Sequence, residues 1–215
     1  MKYFIPCRIN LLKTIKMPIN YLNNKTWWQI TREERFFCAH LFFLIWNDLR
    51  KFLEWFKAQH YAEMKLDKQW EIGYEVCFYR DYLFAKGESV KKIKKPQKRT
   101  FDLALFSDDE LIIFEAKVYE DFDTKQVEVF KADADKIAEL LDKPIRIKIY
   151  ALACKSYFDH SNAFKYWDKK DQNTPSKSKC FDDKITWKEL ADFYQDDILY
   201  RAEEVRKENL NSEKQ

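Results

Sequence analysis

Apolar residues recur at three- and four-residue spacing in Phe37, Leu41, Leu44 and Phe52, which predicts a helix from about Arg32 to about His60. Thr31 is placed to cap it, with Glu33 and Glu34 in the first turn, where the positive end of the helix dipole favours them. Between Phe36 and Trp46 the sequence is apolar nearly all round, so this stretch is expected to be buried on more than one side. The aromatic and β-branched run WEIGYEVCFYRDYLF, Trp70 to Phe84, predicts a strand. FDLALF, Phe101 to Phe106, and LIIFEAK, Leu111 to Lys117, are separated by SDDE and predict a hairpin. Thr124 then opens a helix with Val127, Phe130, Ala134, Ile137 and Leu141 on one face, stopped at Lys143-Pro144. Ile145 to Ala153 predicts another strand, Asp168 to Lys179 a polar loop, and Thr186 the cap of a C-terminal helix reaching about Lys207.

Helix, three strands, helix and strand in that order describe an α/β core with a mixed sheet, because the last helix is a crossover between two parallel strands. The expected division is an N-terminal extension over 1–30, a core over 31–153, and a C-terminal loop and helix over 154–215 packed on that core.

Composition narrows the classes. The chain has 215 residues, 46% hydrophobic, 17% aromatic and 35% charged, which excludes a disordered tail. Its longest uncharged stretch in the first helix, Phe36 to Asn47, falls well short of the roughly 20 residues that cross a bilayer. Gly73 and Gly87 are the only glycines and open neither a dinucleotide fingerprint nor a phosphate loop. The five cysteines are scattered without a C-x-x-C, which argues against a sequence-local zinc site and fits a reducing cytoplasm. Pro6 and Arg8 interrupt any signal-peptide core, so an uncleaved cytoplasmic start is expected, with Met17 as an alternative initiator. Net charge is only +3, but KKIKKPQKR packs six basic residues, Lys91, Lys92, Lys94, Lys95, Lys98 and Arg99, into nine positions. Such a run is either a solvated loop or a phosphate-neutralising patch.

The hairpin carries the candidate chemistry. A turn centred on Asp108-Asp109 pairs positions that sum to 217, so Phe106 faces Leu111 and Asp102 faces Glu115. With a period of two, Lys117 shares a face with Glu115. Opposed carboxylates repel, and a divalent cation would remove that cost. Magnesium is commonly held by one or two carboxylates, with water and phosphate oxygens completing its shell.

An acid, a gap of twelve residues across a hairpin, and then Glu115-Ala116-Lys117 at the end of an apolar strand resemble the PD-(D/E)XK nuclease superfamily, the restriction-endonuclease-like fold. The resemblance spans about Thr31 to Ala153 and implies an α-β-β-β-α-β core, a mixed central sheet flanked by helices. It makes Asp102 and Glu115 ligands of Mg2+ or Mn2+ and Lys117 the residue that assists the attacking water. Phe101 stands where the family name has Pro, which has no chemical role. Glu34, or Glu33 one step away, would complete the metal shell, and Gln126 would bind a phosphate or the catalytic water.

The implied function is a metal-dependent nuclease hydrolysing DNA phosphodiester bonds, with the basic run binding the nucleic acid and a homodimer as the simplest route to a double-strand cut. The alternative is an inactive relative that binds nucleic acid or a protein partner, and a third reading is hydrolysis of another phosphate ester. Against all three, E-x-K arises by chance in charge-rich chains, Glu34 is a favourable first-turn charge, Gln126 is an ordinary helix-start residue, and Trp27, Trp28, Trp46 and Trp55 are assigned to packing.

Overall fold

The computed structural model describes residues 20–88, 100–122, 133, 135–141, 144–160 and 181–212. The chain divides into two compact units, 1–31 and 32–215. In the first unit, Thr26 N–H donates to Gln29 Oε1 at 2.8 Å and opens the short helix α1 (Trp27–Ile30). Thr31 ends that helix, its N–H bonded to Trp27 O at 2.9 Å.

The second unit runs through α2 (Glu34–Asn47), α3 (Leu49–Gln59), β1 (Glu71–Val76), α4 (Phe78–Ala85), β2 (Phe101–Phe106) and β3 (Glu110–Ala116). Helical residues 135–141 precede β4 (Arg146–Ala153), α5 (Lys155–His160), β5 (Asp183–Thr186), α6 (Trp187–Tyr194) and α7 (Asp197–Ser212). The five strands lie in chain order, β2 antiparallel to β1 and β3, and β3, β4 and β5 mutually parallel. The architecture is α/β, a mixed open sheet flanked by helices. No helix among the described residues is long and apolar enough to cross a membrane.

Every residue of the central strand β3 is buried, because both faces of the sheet are covered. Ile112, Phe114 and Ala116 meet Phe37, Leu41, Phe52 and Phe56 of α2 and α3 together with Trp187 and Leu190 of α6. Leu111 and Ile113 meet Tyr79 of α4, Ile137, and Tyr157 and Phe158 of α5. Each fully buried Phe or Leu contributes roughly 1.5–3 kcal/mol of transfer free energy, which is what holds α2 against the end of the sheet.

Several local expectations change. The helix predicted over 32–60 is two helices, broken at Asp48, whose φ of −147° and ψ of 67° are not helical. Asp48 ends α2 and caps α3, its carboxylate accepting Lys51 N–H at 3.1 Å. α2 starts at Glu34 with Glu33 as cap, since Thr31 is spent on terminating α1. Nor is α2 buried all round: Phe37, Cys38, Leu41 and Ile45 face inward, whereas Phe43 is 53% and Trp46 62% exposed.

The strand predicted over Trp70 to Phe84 stops at Val76, and α4 follows, because Tyr79 and Leu83 supply a buried helical stripe. β5 and α5 were not expected, and β5 adds a fifth strand from beyond Ala153. The cap at Thr186 is as expected: its Oγ1 accepts Glu189 N–H at 3.0 Å, and Glu189 Oε2 accepts Thr186 N–H at 2.7 Å. That helix, however, ends at Tyr194, where Gln195 turns left-handed with φ 53°. Of the crossover-helix face, Ile137 is buried, while Thr124, Val127, Phe130 and Ala134 lie outside the described residues, as do Asp168 to Lys179 and Met17.

One irregularity sits next to the candidate chemistry. β1 and β2 pair through Tyr74–Leu103 and Val76–Phe101, but Glu75 between them has φ 50°. Leu103 packs in the α2–α3 layer and Phe101 in the opposite layer, so the alternation reverses at the intervening Asp102. The same coil brings Val76 Cγ2 to 2.6 Å from where a Cβ on Gly73 would stand. Gly73→Ala is therefore expected to destabilise the protein by about 1–3 kcal/mol, measured as a lower urea midpoint at unchanged slope.

Candidate active site

The β2–β3 ladder has the register the turn dictates, with Leu103–Phe114, Ala104–Ile113, Leu105–Ile112 and Phe106–Leu111 paired. These pairs end one step short of Asp102 and Glu115. Beyond them Ala116 N–H donates to Asp102 Oδ2 at 2.7 Å, so a carboxylate binds the chain where the two strands part. Lys117 N–H continues toward β4, bonded to Leu152 O at 2.7 Å.

Into this opening α2 projects its first residue. Glu34 Oε1 accepts from Lys117 Nζ at 3.1 Å and Glu34 Oε2 from Val118 N–H at 3.3 Å. The helix is fixed there by Phe37, which is fully buried and contacts the Trp187 ring. Trp187, also fully buried, donates its indole N–H to Lys117 O at 3.0 Å. Lys117 is thus held at its N–H by β4, at its carbonyl by α6 and at its ammonium by α2.

The charges are strongly coupled. Burial raises the Glu34 carboxyl, the Lys117 ammonium draws it down, and the Asp102 carboxylate pushes it up again, leaving it at about 7. Burial alone would lower the Lys117 ammonium, but the combined field of Glu34, Asp102 and Glu115 outweighs it and holds the group above its ordinary value. Cys38, one turn along α2 and buried, has its thiol pushed well up by burial and by the Asp102 and Glu34 charges. Such a thiol is no nucleophile at neutral pH.

Asp102, Glu115, Lys117 and Glu34 are therefore brought into one electrostatic group, with Glu115 only 7% exposed. Glu34 rather than Glu33 is the residue that enters it. As a complete shell, Asp102, Glu115 and Glu34 are not assembled: among the described residues no three His, Cys, Asp or Glu side chains gather closely enough to form a metal site, and Glu34 is turned to Lys117 instead. Gln126 and the basic run Lys91, Lys92, Lys94, Lys95, Lys98 and Arg99 lie outside the described residues.

Two neighbours were not anticipated. Glu75 stands on the register line of Asp102, and its left-handed backbone is the kind of strain, roughly 1–3 kcal/mol, that surrounding structure must hold in place. Its only sequence signal is an acid inside an apolar strand. Trp187 is legible as the residue after a helix cap, but nothing local says that its indole meets Lys117.

Comparison with protein-family models, curated proteins and solved structures gives no match.

Proposed function

We propose that the chain is a metal-dependent nuclease of the restriction-endonuclease-like type that hydrolyses DNA phosphodiester bonds at Asp102, Glu115 and Lys117. The observation that carries the proposal is the gathering of Glu34, Asp102, Glu115 and Lys117 at the parted end of β2 and β3. Three carboxylates, Glu34, Asp102 and Glu115, act on one ammonium, Lys117. Carboxylates gathered at one buried position supply the oxygen ligands that a divalent cation takes. Magnesium needs only one or two protein carboxylates, a demand that Asp102 and Glu115 fit while Glu34 stays on Lys117. The element order supports the finer fold reading, with α4 inserted between the first two strands.

Bound there, Mg2+ or Mn2+ would polarise the phosphodiester and lower the pKa of a water. Lys117 acts as a fixed positive charge and hydrogen-bond donor toward the oxygens that gain charge at phosphorus. Because the surrounding acids hold it protonated, it is suited to orienting and stabilising rather than to removing a proton. Glu34 and Trp187 position it, one from each end of the residue.

The test is incubation of the purified protein with plasmid and linear duplex at low salt in Mg2+, Mn2+ or EDTA. Nicking or linearisation with either metal and none in EDTA is expected, and no cutting of any substrate by folded protein would overturn the proposal. A second reading, an inactive relative that binds DNA without cutting, is favoured by the way Glu34 and Asp102 are already satisfied by Lys117 and Ala116 N–H. DNA binding without turnover in every metal would select it.

A further inference from the structure

Tyr119, two residues beyond Lys117, is 38% exposed, and the Arg32 guanidinium lies 3.8 Å above its ring centroid. Arg32 stands two residues before Glu34 and is itself exposed. The pair therefore flanks the Glu34–Lys117 contact on both chain segments that form it. The Tyr119 backbone is held as well: Arg206 donates to Tyr119 O at 3.1 Å, forms an ion pair with Asp121 at 2.7 Å, and lies over the Tyr157 ring at 4.7 Å. The turn that carries Tyr119 is thereby fastened to α7 and α5.

Arg32 differs from the other arginines around the site. Arg35 is paired with Glu75 and Arg206 with Asp121, but among the described residues Arg32 makes no ion pair. A guanidinium lying on an aromatic ring loses mobility yet keeps its in-plane N–H groups, and its charge is not cancelled. That is the arrangement suited to a phosphate, which accepts two parallel N–H bonds from one guanidinium.

We infer that Arg32, braced on Tyr119, binds a backbone phosphate of duplex DNA beside the bond to be cut. The inference rests on the nuclease reading and deepens it, assigning DNA contact to a residue that is not part of the basic run in the sequence. Arg32 is here a binding residue, and Tyr119 positions it by restricting the guanidinium.

The experiment measures the affinity of a short fluorescent duplex by anisotropy, in Ca2+ and in EDTA, across a salt series. Wild type is compared with Arg32→Ala, Arg32→Lys and Tyr119→Ala, and with Arg50→Ala, which removes the same charge from an exposed arginine already paired with Glu54. Loss of one phosphate contact by Arg32→Ala is expected to weaken binding roughly 5- to 20-fold and to lower the slope of log K against log salt by about 1. Arg32→Lys keeps the slope and loses part of the affinity, since a point charge replaces the planar fork. Tyr119→Ala weakens binding at nearly unchanged slope, and Arg50→Ala leaves both as in wild type.

Cleavage assays on the same set separate binding from structure: a phosphate contact made equally in ground and transition states raises KM with kcat little changed. Arg32→Ala with wild-type affinity and slope, in a protein that binds and cuts DNA, would overturn the inference and leave the nuclease reading standing. Wild type that neither binds nor cuts DNA would overturn both.

Discussion

Lys117→Ala is expected to lower metal-dependent DNA cleavage by at least about 100-fold, the usual cost of removing one preorganised group that stabilises developing charge. The fold should survive, because the backbone of Lys117 is held independently of its side chain, its N–H by Leu152 O at 2.7 Å and its carbonyl by Trp187 Nε1 at 3.0 Å. Removing one partner of a buried ion pair typically costs about 3–5 kcal/mol when the other charge is left stranded. Glu34 need not be stranded. Its carboxyl, already at about 7 with the ammonium beside it, rises further without it and takes up a proton, while Val118 N–H remains as a donor. Circular dichroism and a melting curve close to wild type, together with lost plasmid cleavage, are the expected pair of results. A folded Lys117→Ala that cuts DNA at the wild-type rate would remove Lys117 from the chemistry and overturn the assignment of the active site to this group.

The second large effect concerns pH and needs no substrate. Glu34 has an ordinary value of 4.5 and stands at about 7 in the folded protein. Between those values the folded state retains a proton that the unfolded chain has released, so metal-free stability falls as pH rises from about 4.5 to about 7 and levels off above. At 1.36 kcal/mol per unit, the whole window is worth up to about 3 kcal/mol. Lys117 adds no slope here, because its folded value lies above 10.5 and it is charged in both states.

Glu203 is also raised by burial and contributes in the same direction, so the quantity to measure is the difference between wild type and Glu34→Gln. Urea unfolding in EDTA should show wild type losing up to about 3 kcal/mol relative to the variant between pH 4.5 and 8. A difference independent of pH would mean that Glu34 ionises as freely as a surface carboxylate. Since the Asp102 charge helps to raise the Glu34 carboxyl, a cation that offsets that charge should favour ionised Glu34 and stabilise the protein more above pH 7 than below it.

The parts of this site legible in the sequence are those fixed by short-range rules. The SDDE turn between alternating apolar runs determined the β2–β3 register, and with it the line on which Asp102 and Glu115 fall. Thr186 and Glu189 determined the start of α6, since a capping box is complete within four residues. The apolar run LIIF ending in Glu115-Ala116-Lys117 marked where a buried strand meets polar chemistry.

Elsewhere the local signal pointed two ways, and packing chose. Trp70 to Phe84 is as good an aromatic strand as it is a strand followed by a helix, and the burial of Tyr79 and Leu83, one helical turn apart, selected the helix. Asp48 could continue a helix or cap the next one, and the turn to α3 lets both helices bury phenylalanines on the same face of the sheet. The left-handed Glu75 and the reversal of faces at Asp102 have no local cause, being backbone states that only the assembled sheet holds in place.

The sequence by itself determined the type of core, the hairpin register and the identity of the acid–acid–lysine set, because those follow from periodicities of two and 3.6 and from turn chemistry over a few residues. Tertiary structure alone decided which acid meets Lys117. Glu34 is 83 residues away, and it reaches the ammonium because α2 docks its buried face at the parted end of the strands. The same burial raises the Glu34 carboxyl to about 7, and desolvation is a property of the packed interior that no stretch of sequence carries on its own.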